Sequence, residues 1–250
     1  MKTENPVRLE VVHSIGIITI DNPPENYLSE PEFIPAEILR DWIGKSRIKA
    51  LMIRGTGRHF SAGADPDRIF RDPSRLPELE QDLNRGKELL DFLESLTIPV
   101  AAAIQGVCFG GGLEVALACH IRFCSENALF AFPETNHGLI PGLGGTIRLP
   151  ERISFRKSLE MILGGDMIEA AIAKEIGLVD EIFPAGTLFD STQALLEKMT
   201  AGRSVQVIRS VIKALQNARS LPLEEAMKEE SRMFCELARE ESRRRLAGNE

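Results

Sequence analysis

The sequence feature that most limits which folds this chain can adopt is its long apolar stretch from Ile98 to Cys119. Its length is close to the roughly 20 residues that cross a bilayer. However, the stretch contains Gln105, Glu114 and four glycines, three of them consecutive at positions 110–112. A charged side chain and a glycine break near the middle of a span are costly in lipid. The stretch therefore predicts a buried strand, a loop and a short buried helix, and argues against a membrane span.

Apolar runs on both sides of this stretch predict a mixed α/β core. Period-two or continuous apolar patterning between turn residues is typical of strands, whereas apolar residues that recur every three to four positions indicate helices. Predicted strands cover residues 7–11, 15–20, 48–53, 100–104, 121–124 and 128–132, and predicted helices cover 36–44, 78–96 and 113–119. A polar, proline-marked loop is predicted over residues 65–77.

Beyond Leu143 the pattern is almost wholly helical, with helices predicted at residues 156–163, 168–176, 188–199, 204–217 and 223–246. We therefore expect an α/β core over residues 1–187 and a helical C-terminal region over residues 188–250. The last helix has an apolar face that needs a surface to pack on, formed by Leu223, Met227, Phe234 and Leu237. That surface is either the region's own core or a neighbouring subunit.

The charge balance and the cysteines exclude several classes of protein. There are 30 Lys and Arg against 37 Asp and Glu, so the net charge is −7, which offers no drive toward nucleic acid or anionic lipid. The four cysteines show no CxxC spacing, which indicates neither a zinc ribbon nor a disulfide framework and fits a reducing compartment. Arg8 and Glu10 interrupt the first apolar run, so no signal peptide is predicted. We expect a cytoplasmic protein.

Two glycine turns follow predicted strands, and each one could expose backbone N–H groups. Gly110–Gly112 leads directly into the apolar helix, where free N–H groups and the positive end of the helix dipole favour an anion. Alternatively, the three glycines merely allow a strand to pack closely on a helix. The second turn, Phe60–Asp65, also follows a strand. Two such loops at one edge of a sheet could each contribute one N–H, as in an oxyanion hole.

Glu114 and Glu134 are the candidate proton-transfer residues. Glu114 is the ionisable residue within the apolar helix, and Glu134 follows an apolar strand and precedes a glycine-rich turn, Gly138–Gly145. Glu114 could instead be a carboxylate stabilised by the helix N-terminus, and Glu134 a solvated loop acid. If both side chains reach one dry pocket, repulsion would separate their pKa values, so that one donates and the other accepts a proton.

The remaining candidates are weaker. The four histidines have no ligand-like spacing with acids or cysteines, so no metal site is predicted. The chain has no GxSxG, P-loop or complete dinucleotide motif. Cys108 lies beside the glycine loop but has no histidine near it in sequence, so a buried small residue is the better interpretation than a nucleophile.

With these motifs in place, the chain resembles the crotonase, or enoyl-CoA hydratase/isomerase, superfamily over nearly its whole length. The resemblance rests on the order and spacing of Gly57–Asp65, Ile104–Gly106, Gly110–Glu114, Phe132–Glu134 and Ile140–Thr146. It implies an α/β fold, a spiral of strand–strand–helix (ββα) repeats. It also implies a helical C-terminal region used for assembly into a homotrimer or a hexamer, a dimer of trimers.

The resemblance also implies an acyl-CoA thioester substrate. By motif position, Ala64 and Gly111 would hold the thioester oxygen, whereas Ala62 and Asp65 would lie along the path of CoA. Glu114 and Glu134 match both acids that the hydratases use, so the implied reaction is addition of water across the α,β double bond, or its reverse. The hydratases need no metal or nicotinamide, so no cofactor is expected.

Other reactions of the same family stay open, namely isomerisation and a biosynthetic, polyketide-type dehydration or decarboxylation. A non-catalytic RNA-binding homologue is a further alternative, but the acidic composition argues against it. Asn136 and His137 make the turn after Glu134 more polar than in many hydratases, which suggests a polar or ring-bearing acyl group.

Overall fold

The computed structural model describes residues 6–65 and 76–247. The strands are β1 (Val7–Val12), β2 (Ile15–Ile20), β3 (Ala50–Gly55), β4 (Val100–Ile104), β5 (Val107–Phe109), β6 (Ile121–Ser125), β7 (Leu129–Ala131), β8 (Ile168–Glu169) and β9 (Glu181–Phe183). Most of the predicted 65–77 loop and residues 1–5 of the N-terminus lie outside the described residues.

The helices follow the predicted order, except that a short helix at Gly145–Arg148 has no predicted counterpart. They are α1 (Ala36–Ser46), α2 (Leu76–Ser95), α3 (Gly111–Ala118), α4 (Gly145–Arg148), α5 (Phe155–Gly164), α6 (Ala170–Glu175), α7 (Leu188–Thr200), α8 (Val205–Ser220) and α9 (Leu223–Ala247). In the described part of the chain, 3-10 turns cover Pro133–His137 and Leu149–Glu151.

The strands form two sheets that alternate along the chain. One sheet has the order β1-β2-β3-β4-β6-β9, and the other has the order β5-β7-β8. All neighbours in the first sheet are parallel except β1 and β2. The consecutive strands β4 and β5 lie in different sheets and are followed by α3. The consecutive strands β6 and β7 also lie in different sheets and are followed by the first 3-10 turn. The chain therefore has the mixed α/β fold expected of a ββα spiral.

Strand β4 shows why the first sheet is buried on both faces. Successive side chains of a strand point to opposite faces, and Val100, Ala102 and Ile104 lie in the main core. Ala101 and Ala103 face a second cluster. All five residues are fully buried. Covering both faces of a parallel sheet is what makes this strand a continuous apolar run.

The second cluster brings the start of the C-terminal region onto the sheet. Leu188 and Leu196 of α7 are buried in it with Ile15, Ile17 and Met52. Helix α9, by contrast, buries Met233 and leaves Phe234 exposed. The helical C-terminal region is present, and the boundary between residues 187 and 188 stays a prediction. Within residues 6–65 and 76–247, no helix is long and apolar enough to cross a membrane.

Three short strands differ from the predicted elements. β5 lies in the loop predicted between the strand at 100–104 and the helix at 113–119, β8 falls at the start of a predicted helix, and β9 lies in a segment with no predicted element. Each has two or three residues, so none shows a full period of apolar alternation. These strands form through pairing with β7 and β6, which local sequence does not encode.

Candidate active site

The first glycine turn is held in place by its own serine. The hydroxyl of Ser61 donates to the carbonyl of Asn26 at 2.7 Å and accepts from the amide of Gly63 at 3.1 Å. Gly63 has a φ of +81°, which glycine adopts without strain. A Cβ at this residue would lie 2.6 Å from the carbonyl oxygen of Phe109. The two glycine turns therefore touch through backbone atoms.

The second turn begins a helix directly behind β5. Gly110 has a φ of +49°, and its amide donates to the carbonyl of Ala131 at 3.0 Å. Helix α3 starts at Gly111, so the Gly111 amide is one of the first N–H groups of a helix and has no acceptor within it.

The amides of Ala64 and Gly111 lie close together, as the oxyanion interpretation requires. A Cβ on Gly111 would be 3.8 Å from the nitrogen of Ala64. Neither amide donates a hydrogen bond to another described residue. Both residues line one cavity. Two converging N–H donors at a helix N-terminus can stabilise a negatively charged oxygen.

Glu114 is buried to 2% exposure in the first turn of α3. Its Oε1 accepts from the amides of Leu143 and Gly145, both at 2.7 Å. Burial raises the pKa of Glu114 to about 7, and repulsion from Glu134 adds to the rise. The two amides and the guanidinium of Arg148 counteract it. Glu114 is thus oriented by the backbone and poised to change its protonation state near neutral pH.

Glu134 lies in the 3-10 turn after β7. Its Oε1 rests against Gly110, where an added Cβ would be 2.6 Å away. Its Oε2 is buried and has no hydrogen-bond partner. Burial raises the pKa of Glu134 to about 7. The two carboxyl groups therefore differ in their partners, because one is held by two amides and the other keeps a buried oxygen unpaired.

Both glutamates open into a cavity of about 270 Å³. Its walls also carry Ala64, Asp65 and Gly111, so five of the six predicted site residues meet there. The remaining described walls are mainly aliphatic, with Leu28, Leu76, Leu79, Leu83, Leu139, Ile140 and Leu143 among them. An apolar cavity with a few convergent polar groups is the usual form of a small-molecule site.

Ala62 and the polar turn lie elsewhere. The described walls of the cavity do not include Ala62, whose amide donates to the carbonyl of Glu25 at 2.9 Å. Asn136 and His137 are exposed and do not line the cavity. A Cβ on Gly165 would be 2.8 Å from the side-chain nitrogen of Asn136, so that amide faces the end of α5. The polar turn therefore gives no support to a polar or ring-bearing acyl group.

Two of the histidines have structural partners. Nδ1 of His59 accepts from the amide of Val107 at 3.1 Å, and Nδ1 of His120 accepts from the amide of Val100 at 3.1 Å. Among the residues that the structure describes, no group of three His, Cys, Asp or Glu side chains could hold a metal ion. Cys108 is buried, and burial raises the pKa of its thiol, which suits a core residue better than a nucleophile.

Sequence reasoning missed the groups that hold Glu114. Gly142–Gly145 forms the turn whose amides bind its carboxylate, and the guanidinium of Arg148 donates to the carbonyl of Leu143 at 2.9 Å. The glycine-rich motif at Ile140–Thr146 was the available signal. It predicted a turn, but gave no indication that the turn meets α3.

Comparison with known proteins gives a consistent result. The enoyl-CoA hydratase/isomerase family matches residues 10–249. A Bacillus subtilis (strain 168) protein named "probable enoyl-CoA hydratase" is 35% identical over 243 residues, which cover 93% of this chain and 90% of that protein. The fatty acid oxidation complex subunit alpha of Shewanella loihica is 35% identical over 87% of this chain, which spans 32% of that longer protein.

Solved structures share the whole architecture. A candidate enoyl-CoA hydratase from Thermobifida fusca YX, solved in complex with CoA, superimposes with a TM-score of 0.84 at 25% identity. The match covers 96% of this chain and 95% of that one.

Proposed function

The chain belongs to the enoyl-CoA hydratase/isomerase family, and on that premise we propose that it adds water across the α,β double bond of an enoyl-CoA thioester, or removes water in the reverse direction. One observation carries the proposal. The buried Glu114 and the half-buried Glu134 line the same apolar cavity as Ala64 and Gly111, whose amides lie close together. Isomerisation requires one acid–base group to move a proton, whereas hydration also requires a second group that activates water.

The two amides would stabilise the charge that develops on the thioester oxygen. As water adds to the β-carbon, electron density moves through the α-carbon to that oxygen. Preorganised N–H donors at such a position contribute about 2.7–4 kcal/mol each to the transition state. Ala64 and Gly111 would be these donors, and the N-terminus of α3 would add its positive dipole.

The two carboxyl groups would take different roles. Hydrogen bonds to an ionised carboxylate favour that form, and Glu114 accepts two of them from Leu143 and Gly145. Glu114 would therefore be the base that takes a proton from water. Glu134 has a buried oxygen without a partner, which favours the protonated form. Glu134 would be the acid that gives a proton to the α-carbon.

The rest of the substrate would be bound around this centre. The aliphatic walls fit an apolar acyl chain, and Asp65 and Ala62 would lie along the path of CoA. Hydration transfers protons and no electrons, so the proposed reaction uses no redox cofactor, and its proton transfers need no metal ion. Three of the four cysteines are free and buried, which is consistent with the reducing cytoplasm as the compartment.

Exposed apolar side chains support self-association. Phe155 and Leu163 on α5, and Leu223 and Phe234 on α9, each expose more than two thirds of their surface. Several large apolar residues exposed on two helices favour an interface with another chain. We propose a homotrimer or a dimer of trimers, which light scattering on the purified protein would test.

The activity test is incubation with crotonyl-CoA, following the loss of the conjugated thioester absorbance and the mass of the product. We expect the gain of one water. Glu114→Gln and Glu134→Gln should each lower kcat by about 10²–10⁴-fold, because glutamine keeps the shape and removes proton transfer. Glu160→Gln, at an exposed position on α5, is the matched control and should keep full activity.

Other outcomes would replace the proposal. A product of unchanged mass with a shifted double bond would identify an isomerase. Binding without any product would indicate a dehydratase or decarboxylase of a different substrate, or a non-catalytic homologue. Full activity in both cavity variants would refute the roles of the two glutamates.

A further inference from the structure

We propose that Arg148 is a positioning residue of this site. It holds the turn Gly142–Gly145 against the general base Glu114. It also joins that turn to helix α2, which supplies part of the acyl wall, the aliphatic side of the cavity. The inference rests on the proposed hydratase function, in which Glu114 must be ionised and correctly oriented. Arg148 does not line the cavity among its described walls. It would act on the reaction through Leu143 and Gly145.

The guanidinium of Arg148 uses each of its nitrogens on a different partner. Nη1 donates to the carbonyl of Leu143 at 2.9 Å, Nε donates to a carboxylate oxygen of Glu94 at 2.9 Å, and Nη2 donates to Asp91. The side chain is 9% exposed. A planar fork can satisfy three acceptors at once, which a lysine ammonium on a flexible stem does less specifically. The turn is therefore held by a buried cation that donates a hydrogen bond from each of its three nitrogens.

Leu143 connects Arg148 directly to Glu114, because its backbone forms a hydrogen bond with each of them. The carbonyl of Leu143 accepts from Arg148, while its amide donates to Oε1 of Glu114 at 2.7 Å. The neighbouring Gly144 packs against the guanidinium, where an added Cβ would be 2.5 Å from Nη1. The amide of Gly145 completes the grip on Glu114. A displacement of Arg148 would thus move both amides that orient the base.

The same contacts couple the base to the acyl wall. Asp91 and Glu94 belong to α2, whose first two turns supply Leu79 and Leu83 to the cavity. The backbone of α2 also packs closely on the turn, because a Cβ on Gly86 would lie 2.7 Å from a methyl carbon of Leu143. Helix α2, the turn and Glu114 are therefore joined by one continuous set of contacts with Arg148 at its centre.

The positive charge of Arg148 also favours the ionised form of Glu114. The charged groups that face Glu114 are Glu134, from the turn after β7, and Arg148, from α4. Arg148 is itself paired with Asp91 and Glu94 of α2. Arg152 forms a second ion pair with the Glu94 carboxylate at 3.3 Å. Glu134 raises the pKa of Glu114 and Arg148 lowers it. Removing the guanidinium should leave Glu114 harder to ionise.

The test compares Arg148→Met and Arg148→Lys with the control Arg156→Met. Arg156 is 86% exposed and pairs with Glu160, so the control removes the same charge at an exposed position that has no bond to the turn. The carboxyl carbon of Glu114 is titrated by 13C NMR in the ligand-free protein, and its signal is assigned by its loss in Glu114→Gln. Crotonyl-CoA hydration is then measured against pH, and circular dichroism reports the fold.

We expect Arg148→Met to raise the pKa of Glu114 beyond any change in the control. The acid limb of kcat should move to higher pH by the same amount, and kcat should fall on the order of tenfold to a hundredfold with little change in KM. Arg148→Lys keeps the charge but cannot make all three bonds. It should therefore restore the acid limb and recover kcat only in part.

Distinct results would overturn the inference. A folded Arg148→Met protein with an unchanged Glu114 titration and unchanged kcat would show that Arg148 is a structural ion-pair residue alone. If Arg148→Met does not fold, Arg148→Lys decides, and a lysine variant with wild-type kcat would refute the positioning role. If the wild-type protein leaves crotonyl-CoA unchanged, the hydratase proposal fails, whereas the NMR titration still tests the link between Arg148 and Glu114.

Discussion

Replacing Glu114 by glutamine should stabilise the folded protein above neutral pH while it removes activity. The side chain is 2% exposed, and burial raises its pKa from 4.5 to about 7. Ionising such a group costs the folded state about 1.4 kcal/mol for each step of one in pKa, or about 3 kcal/mol in total. Glutamine carries no charge, and its side-chain oxygen can accept the same two bonds from Leu143 and Gly145.

The sign of the pH dependence follows from proton binding. Between its unfolded value of 4.5 and its folded value of about 7, the Glu114 carboxyl binds more proton in the folded state than in the unfolded state. The wild-type protein therefore loses stability as the pH rises through this window. The glutamine variant lacks this loss. Its gain in stability over the wild type should therefore be absent near pH 4.5 and complete above about pH 7.

Urea unfolding of the wild type and Glu114→Gln measures this difference at about pH 4.5 and about pH 8. Protein concentrations must be equal because association shifts apparent stability. Near pH 8 the variant should be more stable by up to about 3 kcal/mol, equivalent to roughly 6–12 °C in Tm for a chain of this length. A variant that is no more stable near pH 8, or whose gain is the same at both pH values, would refute the reasoning.

Glu160→Gln is a control for which the expected change in stability has the opposite sign. Hydrogen bonds from Lys157 and Arg156 lower the pKa of Glu160, so its ionised form contributes stability that disappears as the pH falls through the folded value. Its glutamine variant should be slightly less stable near neutral pH, with no difference in acid. The two variants together separate burial from a general effect of removing a carboxylate.

Three further outcomes are expected in the crotonyl-CoA assay. Gly63→Ala should abolish hydration, because its Cβ would lie 2.6 Å from the carbonyl of Phe109 and push the two turns apart; kcat/KM measures this. Gly110→Ala should lower kcat about tenfold or more, because its Cβ would lie 2.6 Å from Oε1 of Glu134. The pH–rate profile should peak near neutrality, because Glu114 must be ionised and Glu134 protonated, and burial raises the pKa of both to about 7.

Gly202→Ala is the matched control for both glycine variants. Gly202 has a φ of +69° and nothing within 4 Å of an added Cβ. Its alanine variant also places a side chain at a positive φ, but in open space and outside the described walls of the cavity, and should retain activity. A comparable loss in Gly202→Ala would show that strain, and not displacement of the site, explains the other two. A rate that is flat across neutral pH would contradict the assigned roles of the glutamates.

Much of the fold could be predicted because its signals are local. Strands β2 and β4 have the predicted bounds, and β1 and β6 each extend one residue beyond theirs, since each is long enough for burial to impose an apolar pattern. The glycine turns could also be predicted, because a backbone of positive φ selects glycine at a single position. Strands of two or three residues, such as β8 and β9, lack such a signal.

The sequence by itself determined which residues are candidates for the chemistry: an ionisable Glu114 in an apolar helix, Glu134 after a buried strand, and two glycine turns that end in N–H donors. Only the tertiary structure decided where they lie relative to one another. It places the amide of Leu143 on Glu114 across 29 residues, joins Arg148 to Glu94 across 54, and turns Asn136 away from the cavity. The physical reason is that backbone conformation and burial act on a few neighbouring residues, whereas these contacts form only when distant segments pack against one another.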